Sequence, residues 1–458
     1  MNWNGLEYDL KAAPPLDAGF APFLKILESH QKSARESGRK LAISIRRPGD
    51  HVSVYEMMVH GGGQMARADE LITERVVKFL LWMKGGYEVT VYGGETIGRH
   101  IESLYKSGGK RAFDADFMAR VYEKPFAVYV KKYEEKIAES DEAYSLGGNA
   151  DGCRIGFDAG GSDRKVSAVI DGEAVFSEEV VWHPKTTADP DYHYQGIVSA
   201  LKKAQTYLPR VDAIGVSSAG IYVDNRCMVA SLFLKVPQDL FDAKVKDIYL
   251  RAAKEIGAPV KVANDGDVAA LAGAMGLGEN SILGVAMGTS EAAGFVDGSG
   301  QIRGWLNELA FAPVDLSQDA MRDEWSGDIG CGVKYFSQDG VIKLAANAGI
   351  AFEETATPAE KLKAVQELLQ KDEDAARPIY ESIGIYLGHA AALYHHFYHM
   401  KNILVMGRVL SGKGGEIIVE TATKTLADEY PSYGKAVRIM LPDEKTRRVG
   451  QSVAAASL

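Results

Sequence analysis

The chain has 458 residues, of which 46% are hydrophobic and 25% charged, and its formal net charge is -10 at pH 7. This length exceeds one ordinary hydrophobic core and predicts roughly two to four structural units. The negative charge gives no electrostatic reason to bind nucleic acid or an anionic membrane, and no stretch approaches the roughly 18 apolar residues of a membrane span. Three scattered cysteines without a C-x-x-C pair, and no secretory signal, favour a reducing, cytoplasmic location.

The N-terminal segment has a mixed pattern of apolar residues. Residues 41–59 predict two strands around a Pro-Gly-Asp turn, 74–83 an apolar helix, and 87–94 a third strand. No catalytic motif matches this segment. We therefore predict an N-terminal α+β domain over residues 1–138, and the loose echo of its opening in residues 154–182 raises the hypothesis of a degenerate duplicate.

A polar, Gly-bearing stretch at 139–152 predicts a linker, after which strands alternate with helices. The predicted elements are strands joined by turns at 154–182, a helix at 192–208, strands at 211–220 and 260–265, a helix at 266–278, a strand-turn-strand at 281–302, mainly helix over 359–400, and a strand at 402–407. Alternation of this kind indicates an α/β architecture, and the hairpins make its sheets mixed.

Two Gly-rich hairpin tips are candidates for holding phosphate. In the first, Gly160 and Gly161 allow backbone N–H groups to approach an anion, Ser162 adds a hydroxyl, and Asp158 could hold magnesium. The second tip, at 287–290, again offers backbone and hydroxyl donors. Each motif alone is more often an ordinary turn, but two in one chain are harder to explain as coincidence.

Two acidic positions are candidates for contacting a polyhydroxylated substrate. Asn264 and Asp265 stand between a strand and a helix, where Asn or Asp is most often an N-cap. The functional alternative is a carboxylate at a strand's carboxyl end that accepts a proton from a hydroxyl, oriented by Asn264. Glu308 is either an exposed helix start or a second substrate carboxylate.

The stretch NILVMGRVLSGKGG, residues 402–415, comes one residue short of a phosphate loop. Gly414 occupies the position of the magnesium-binding hydroxyl, and the motif stands late in the chain. We prefer a late strand and turn in which Gly407 approaches a nucleotide and Lys413 lies on the surface.

Five motifs follow one another along the chain: the D-x-G-G-[ST] hairpin, a Gly-bearing strand end at 215–220, the Asn-Asp pair before an Ala-rich helix, the Gly-Thr hairpin and a following acid. In this order they resemble the pattern of the ROK family of sugar kinases and repressors. The resemblance covers roughly residues 153–458 and is best over 260–289. It implies an α/β fold of the two-lobed, actin-like ATPase (ribonuclease H-like) type with mixed sheets. The expected parts are lobe 1 at about 153–262, lobe 2 at about 263–446, and a C-terminal helix at about 447–458 returning towards lobe 1.

The resemblance also implies an enzyme that binds a sugar and MgATP and transfers the γ-phosphoryl group to a hydroxyl. Asp265 is then the expected base, with Asn264 and Glu308 as sugar ligands. The wall beneath them is expected from Ser217, Ser218 and Ala219. The residues expected around the nucleotide are Gly160, Gly161, Ser162, Gly288 and Thr289 at the phosphates, Asp158 at magnesium directly or through water, and Gly407, Arg408 and Ser411 at the adenosine.

The sequence departs from the family pattern in two places. Glu291 interrupts the second phosphate hairpin and puts a carboxylate near the expected phosphate charge, which is unfavourable unless a metal or a basic residue screens it. Arg164 and Lys165, beside the first hairpin, are either that screen or solvated strand residues. Phe311 replaces the family's zinc-binding histidine, and the region 323–338 holds only Cys331, so we predict no structural zinc.

Three classes of function remain open from the sequence. The leading one is phosphoryl transfer to a sugar or sugar-like alcohol. The second is a catalytically inactive sugar or metabolite sensor, for which Glu291 is the main argument, and the third is a phosphate-loop ATPase. His395 and His399 have the spacing of a metal pair, but we expect packing or an oligomer contact, and a homodimer stays open.

Overall fold

The computed structural model describes residues 1–141, 146–442 and 450–458. The chain forms two compact units, and each unit is assembled from separate stretches of sequence. Unit 1 comprises Met1–Glu142, Val285–Ala293 and Trp305–Leu441, and unit 2 comprises Ala143–Gly284, Gly294–Gly304 and Pro442–Leu458.

The N-terminal part of unit 1 is built around a four-stranded sheet. Its elements are β1 (Asn2–Trp3), β2 (Leu6–Glu7), α1 (Phe23–Ala34), β3 (Arg39–Arg46), β4 (Val52–Val59), α2 (Ala66–Lys84), β5 (Glu88–Tyr92), α3 (Glu95–Tyr105), α4 (Ala112–Tyr122) and β6 (Ala127–Lys131). The sheet has the order β4-β3-β5-β6, in which β3 is antiparallel to β4 and β5, and β5 is parallel to β6. The predicted strand, Pro-Gly-Asp turn and strand are confirmed, with Gly49 taking the φ of 76° that the turn requires.

Unit 2 contains the mixed sheet predicted from the first hairpin. Its elements are β7 (Cys153–Ala159), β8 (Asp163–Ile170), β9 (Glu173–Val181), α5 (Pro190–Gln205), β10 (Ala213–Ser218), β11 (Ile221–Val223), β12 (Arg226–Val229), α6 (Gln238–Leu240), α7 (Ile248–Ile256), β13 (Val260–Asn264) and α8 (Asp265–Leu277). The five-stranded sheet has the order β13-β10-β7-β8-β9. Because β7, β8 and β9 are antiparallel while β7, β10 and β13 are parallel, three strands end at the same edge.

The rest of the chain completes the fold with helices and a second four-stranded sheet. Its elements are β14 (Ile282–Met287), β15 (Glu291–Val296), α9 (Gln338–Asn347), α10 (Pro358–Lys371), α11 (Glu373–Tyr398), β16 (Asn402–Met406), α12 (Lys413–Glu429), α13 (Pro431–Gly434), β17 (Arg438–Met440) and α14 (Gln451–Ala456). The sheet order is β15-β14-β16-β17, with β16 and β17 parallel. A capping box between Thr357 and Glu360 starts α10, as the T-x-x-E spacing dictates.

The two faces of the unit 2 sheet are covered differently. Alternate residues such as Phe157 and Val216 belong to an apolar core shared with α5 and α7. On the other face, Gly156 and Gly215 leave room for α14, and a Cβ on either glycine would overlap a backbone carbonyl oxygen of that helix. The final helix therefore lies directly against the sheet.

The compact units differ from the predicted domain boundaries. Residues 1–138 share a unit with 305–441 instead of forming a domain of their own, and α8 belongs to unit 2. The parallel pairing of β7 with β10 also differs from the antiparallel pairing of β3 with β5, so the strand path of a duplicate is not repeated. Of the predicted linker and C-terminal helix, residues 142–145 and 447–449 lie outside the described residues.

None of the helices described is both long enough and apolar enough to cross a membrane.

Candidate active site

The carboxyl edge of the unit 2 sheet gathers most of the predicted catalytic and substrate residues. In the strand register, Ser217 of β10 lies opposite Asp158 of β7 and Ala263 of β13. One residue further, Ser218 lies opposite Asn264. Chemistry in α/β proteins is typically found at this edge, because the side chains that follow parallel strands converge there.

Asp158 is a buried carboxylate held by its neighbour in the sheet. Ser217 is fully buried, and its Oγ donates a 2.7 Å hydrogen bond to Asp158 Oδ1. Burial, with a smaller contribution from Asp265, raises the pKa of Asp158 to about 6 despite that hydrogen bond. A desolvated carboxylate next to a second acid gains from a nearby cation, so this oxygen donor fits Mg²⁺.

Asn264, and not Asp265, caps the helix that begins at this edge. The Asn264 side chain accepts from Gly266 N at 2.7 Å and donates to Gly220 O at 2.7 Å, so both ends of its amide are used within the protein. The carboxylate of Asp265 accepts from the adjacent Gly266 N, at 3.1 Å, and from its own backbone N–H. Burial raises the pKa of Asp265, which makes it a stronger proton acceptor than an ordinary aspartate.

Ser218, at the carboxyl end of β10, is held by hydrogen bonds from two tyrosines. Its Oγ accepts hydrogen bonds from the phenols of Tyr222, at 2.6 Å, and Tyr249, at 2.8 Å. Ser217 and Ser218 are both fully buried, and Ala219 is half-buried. The two serines therefore hold neighbouring residues in position, and the wall that they and Ala219 are expected to form beneath a sugar stays a prediction.

The first Gly-rich turn lies at the end of β7 and is fixed by Trp182. The indole N–H of Trp182 donates to Gly160 O at 2.7 Å, and its backbone N donates to Ser162 O at 3.1 Å. Gly161 and Ser162 are exposed, which leaves the turn open to a ligand. Double glycine and an exposed hydroxyl are the features of an anion-binding hairpin.

The two cations beside the first hairpin, Arg164 and Lys165, have partners within the protein. Arg164 donates to Ser199 Oγ of α5, while Lys165 lies between Asp163 and Glu179 at 3.6 and 3.7 Å. Lys185 lies against the turn instead. Sequence reasoning missed it because the short turn in which it stands carries no motif.

The second hairpin tip and the late turn lie together within unit 1. Gly407 adopts a φ of 104°, and a Cβ there would overlap the backbone of Met287. Arg408 Nη2 donates to Thr289 Oγ1 at 3.0 Å. Gly288, Thr289, Gly407 and Arg408, predicted around one nucleotide, are thus neighbours, and the exposed Ser411 follows in the same turn.

Lys413 begins α12 and forms an ion pair with Glu373 on the surface. This agrees with the surface position predicted for Lys413, and the nucleotide contact expected at the turn around Gly407 stays a prediction.

Glu291 does not present its carboxylate to the hairpin tip, contrary to the expectation from sequence. The side chain is buried, Tyr394 donates to its Oε1 at 3.3 Å, and Oε2 has no hydrogen-bond partner among the residues described. Burial, with a smaller contribution from Glu308, raises the pKa of Glu291 to about 8. A protonated carboxyl in the interior does not repel a triphosphate.

The folded-state pKa of Glu291 lies above its unfolded value, so the folded protein binds the extra proton and loses stability as pH rises from about 5 to 8. We expect the free energy of unfolding of Glu291→Gln to change less across this window than that of the wild type, since glutamine resembles the protonated acid. Urea unfolding at several pH values measures both profiles. Parallel profiles would contradict the assignment.

Glu308 follows Asn307, a residue with left-handed backbone that is held by a hydrogen bond. Asn307 has a φ of 52°, is buried, and accepts from the phenol of Tyr398 at 2.9 Å. The backbone N of Glu308 donates to Trp82 O at 2.9 Å. The half-buried Glu308 is thus fixed by α2, an element that sequence reasoning did not connect with the site.

The histidines at the end of α11 serve packing. His395 Nδ1 contacts Met400 O at 2.7 Å, and its ring packs edge-on against Tyr433. His399 adopts a left-handed φ of 55° and caps the helix.

One other cluster among the described residues has metal-ligand composition: His30, His60 and Asp69 in unit 1. Both imidazoles contact Asp69 Oδ1 at 2.8 Å. The side-chain Oε1 of Gln31 accepts a hydrogen bond from the backbone N–H of Met58, which fixes the orientation of the Gln31 amide. The amide N–H₂ of Gln31 therefore donates to His30 Nδ1, at 3.0 Å. The proton of His30 is then on Nε2, facing Asp69, which makes the cluster a hydrogen-bond network that fixes the loop after β4.

The fold and the edge chemistry define an α/β protein of the actin-like ATPase type, and comparison with known families agrees. The ROK family model matches residues 154–445, more than half of the chain. The chain belongs to the ROK family. No curated protein matches it.

Solved structures of the family are similar to this chain at low sequence identity, and the first of them shares its fold. A ROK hexokinase from Thermus thermophilus is 19% identical, with a TM-score of 0.51 over 67% of this chain and 97% of its own. A ROK glucokinase from Streptomyces griseus, solved with glucose and AMPPNP, is 19% identical, with a TM-score of 0.48 over 67% of this chain and 99% of its own. A ROK transcriptional regulator, described as a homologue of the E. coli MLC protein, is 18% identical, with a TM-score of 0.49 over 68% of this chain and 79% of its own.

Proposed function

We propose that the protein transfers the γ-phosphoryl group of MgATP to a hydroxyl of a sugar or sugar-like alcohol, as a cytoplasmic enzyme that does not bind nucleic acid or membranes. The observation that carries this proposal is the division of labour at the end of β13. Asn264 caps the helix, which leaves the carboxylate of Asp265 available at the strand edge, beside Asp158 and the first Gly-rich turn, in which Gly161 is exposed.

Each part of the reaction is assigned to a named group of the protein. Asp265 accepts the proton of the acceptor hydroxyl as that oxygen bonds to the γ-phosphorus, and the bond from phosphorus to the bridging oxygen of ADP breaks, with ADP keeping the electron pair. Asp158, directly or through water, would hold Mg²⁺, which shields the phosphate charge when bound. Glu308 accepts hydrogen bonds from substrate hydroxyls, while Gly288, Thr289 and the turn at 407–411 bind the nucleotide.

Membership of a family that includes proteins described as a hexokinase and a glucokinase supports this assignment. The family also includes a protein described as a transcriptional regulator, so an inactive sugar sensor is the second candidate. Its main sequence argument was Glu291, whose buried carboxyl does not oppose a triphosphate. Catalysis is therefore the better-supported function.

A panel of hexoses, amino sugars and polyols with MgATP tests the proposal. We expect ADP release with at least one of them and a product heavier by one phosphoryl group in mass spectrometry. A sugar that raises the melting temperature without any turnover across the panel would instead support the sensor.

A further inference from the structure

Lys185 stands in a turn whose backbone is tightly fixed. The turn, Pro184–Thr186, follows β9 directly after Trp182. The ring of His193 lies against Pro184 O at 3.0 Å, and Thr187 Oγ1 donates to His183 O at 2.7 Å. The Cα of Lys185 is therefore set by the fold, and only its side chain is free to move.

The Lys185 side chain runs over the first Gly-rich turn. A Cβ on Gly161 would lie 2.7 Å from Lys185 Cε and 2.9 Å from Nζ, both closer than van der Waals contact allows. The absence of a side chain at Gly161 thus provides the space in which the ammonium lies. The same ammonium lies close enough to the proposed base, Asp265, for its charge to offset part of the rise in the pKa of that carboxyl.

No carboxylate among the described residues lies within ion-pair distance of Lys185. Other lysines of the same unit form ion pairs: Lys165 with Asp163 and Glu179, Lys203 with Glu178, and Lys202 with Glu255. An exposed ammonium without an acid, held between a double-glycine turn and a proton acceptor, is the arrangement that an incoming phosphoryl group would complete.

We propose that Lys185 binds the terminal phosphate of the nucleotide and stays with it during transfer. This inference rests on the proposed function. The ammonium is a compact charge that can follow the phosphoryl oxygens as the bond to ADP breaks and the bond to the acceptor oxygen forms, while the proton goes to Asp265. Because the contact is to the terminal phosphate, it distinguishes a triphosphate from a diphosphate.

Binding and turnover test the two ideas separately. We expect Lys185→Ala to weaken AMPPNP binding in calorimetry about tenfold, to leave ADP binding unchanged, and to lower kcat by about 100-fold, which is the typical loss for one transition-state donor. Lys185→Arg should recover part of kcat. Lys202→Ala, which removes a lysine from the same unit, should match the wild type in every assay.

Equal losses of AMPPNP and ADP binding, or unchanged binding of both, would overturn the role of Lys185. Wild-type protein that binds AMPPNP through Lys185 but phosphorylates no sugar would sink the proposed function and leave the phosphate contact standing.

Discussion

Asp265→Asn is expected to lower kcat for phosphoryl transfer by about 10³-fold, within the usual range for a general base. Asparagine keeps the size of the side chain but cannot take the proton of the acceptor hydroxyl. Stability should change little, because Asn264 and not Asp265 caps α8. Coupled measurement of ADP release, with thermal unfolding on the same samples, checks both parts.

Asp267 provides the matched control on the same first helical turn. Its carboxylate is buried and accepts from Phe295 N at 3.0 Å. Asparagine keeps an acceptor but loses the charge and buries an amide N–H₂ group, so Asp267→Asn should lower stability by about 1 to 3 kcal/mol and keep kcat at temperatures where the protein is folded. If Asp265→Asn retained more than a tenth of wild-type turnover, the proton acceptor would have to be sought elsewhere.

The second large effect concerns a buried ionic cluster in unit 1. Asp328 Oδ2 lies 2.9 Å from Arg75 Nη1, 3.0 Å from Lys78 Nζ and 2.7 Å from Arg111 Nη1, and all four side chains are almost fully buried. Glu74, which pairs with Arg75 and Arg111, and Asp114, which pairs with Lys78, are the other carboxylates of the cluster, so replacing Asp328 with asparagine leaves one buried positive charge uncompensated. We expect a loss of about 3 to 5 kcal/mol, as when one partner of a buried pair is removed.

The pH dependence gives an independent check of the cluster. Burial acts to raise the pKa of Asp328, but Arg75 and Lys78 overcome it and hold the pKa at about 2. A depressed acid pKa contributes stability that is complete above the unfolded value and is lost as pH falls from about 5 towards 2. In Asp328→Asn this part of the acid sensitivity should disappear.

Urea unfolding measures both effects, and Glu102→Gln is the surface control. Glu102 pairs with Arg99 at 2.9 Å on an exposed helix face, so its loss should cost under about 1 kcal/mol. A similarly small loss for Asp328→Asn would mean that the cluster does not hold the loop of residues 323–330 against α2.

Local patterns predicted the parts of the site that depend on strand ends. Asp158, Ser217 and Asn264 each lie at or next to the last residue of a strand, and their convergence follows once β7, β10 and β13 are parallel neighbours. The hairpins were likewise visible, because Gly-rich turns and Asp-Gly pairs have strong local preferences. These features depend on interactions between residues that are close in the sequence, so the sequence alone predicts them.

The errors concern side chains and long-range pairing. Glu291 begins β15, and proximity in sequence placed it at the phosphates, whereas its side chain points into the interior towards Tyr394. The union of residues 1–138 with 305–441 depends on contacts such as those of Trp82 with Glu308 and of Arg75 with Asp328. Contacts over more than 200 positions leave no periodic trace in a single sequence, whereas Lys185 was missed because its short turn carries no motif.

The seat of α14 on Gly156 and Gly215 has a consequence for biosynthesis. The sheet that carries Asp158 is among the earlier parts of unit 2 to leave the ribosome, but the helix covering one of its faces is encoded almost 300 codons later. Until that helix emerges, two bare glycines and their strands stay uncovered, although domains generally fold during synthesis from the N-terminus. The nascent sheet therefore has one uncovered face from the synthesis of β13 until α14 emerges, and a chaperone that shields this face would act in that interval.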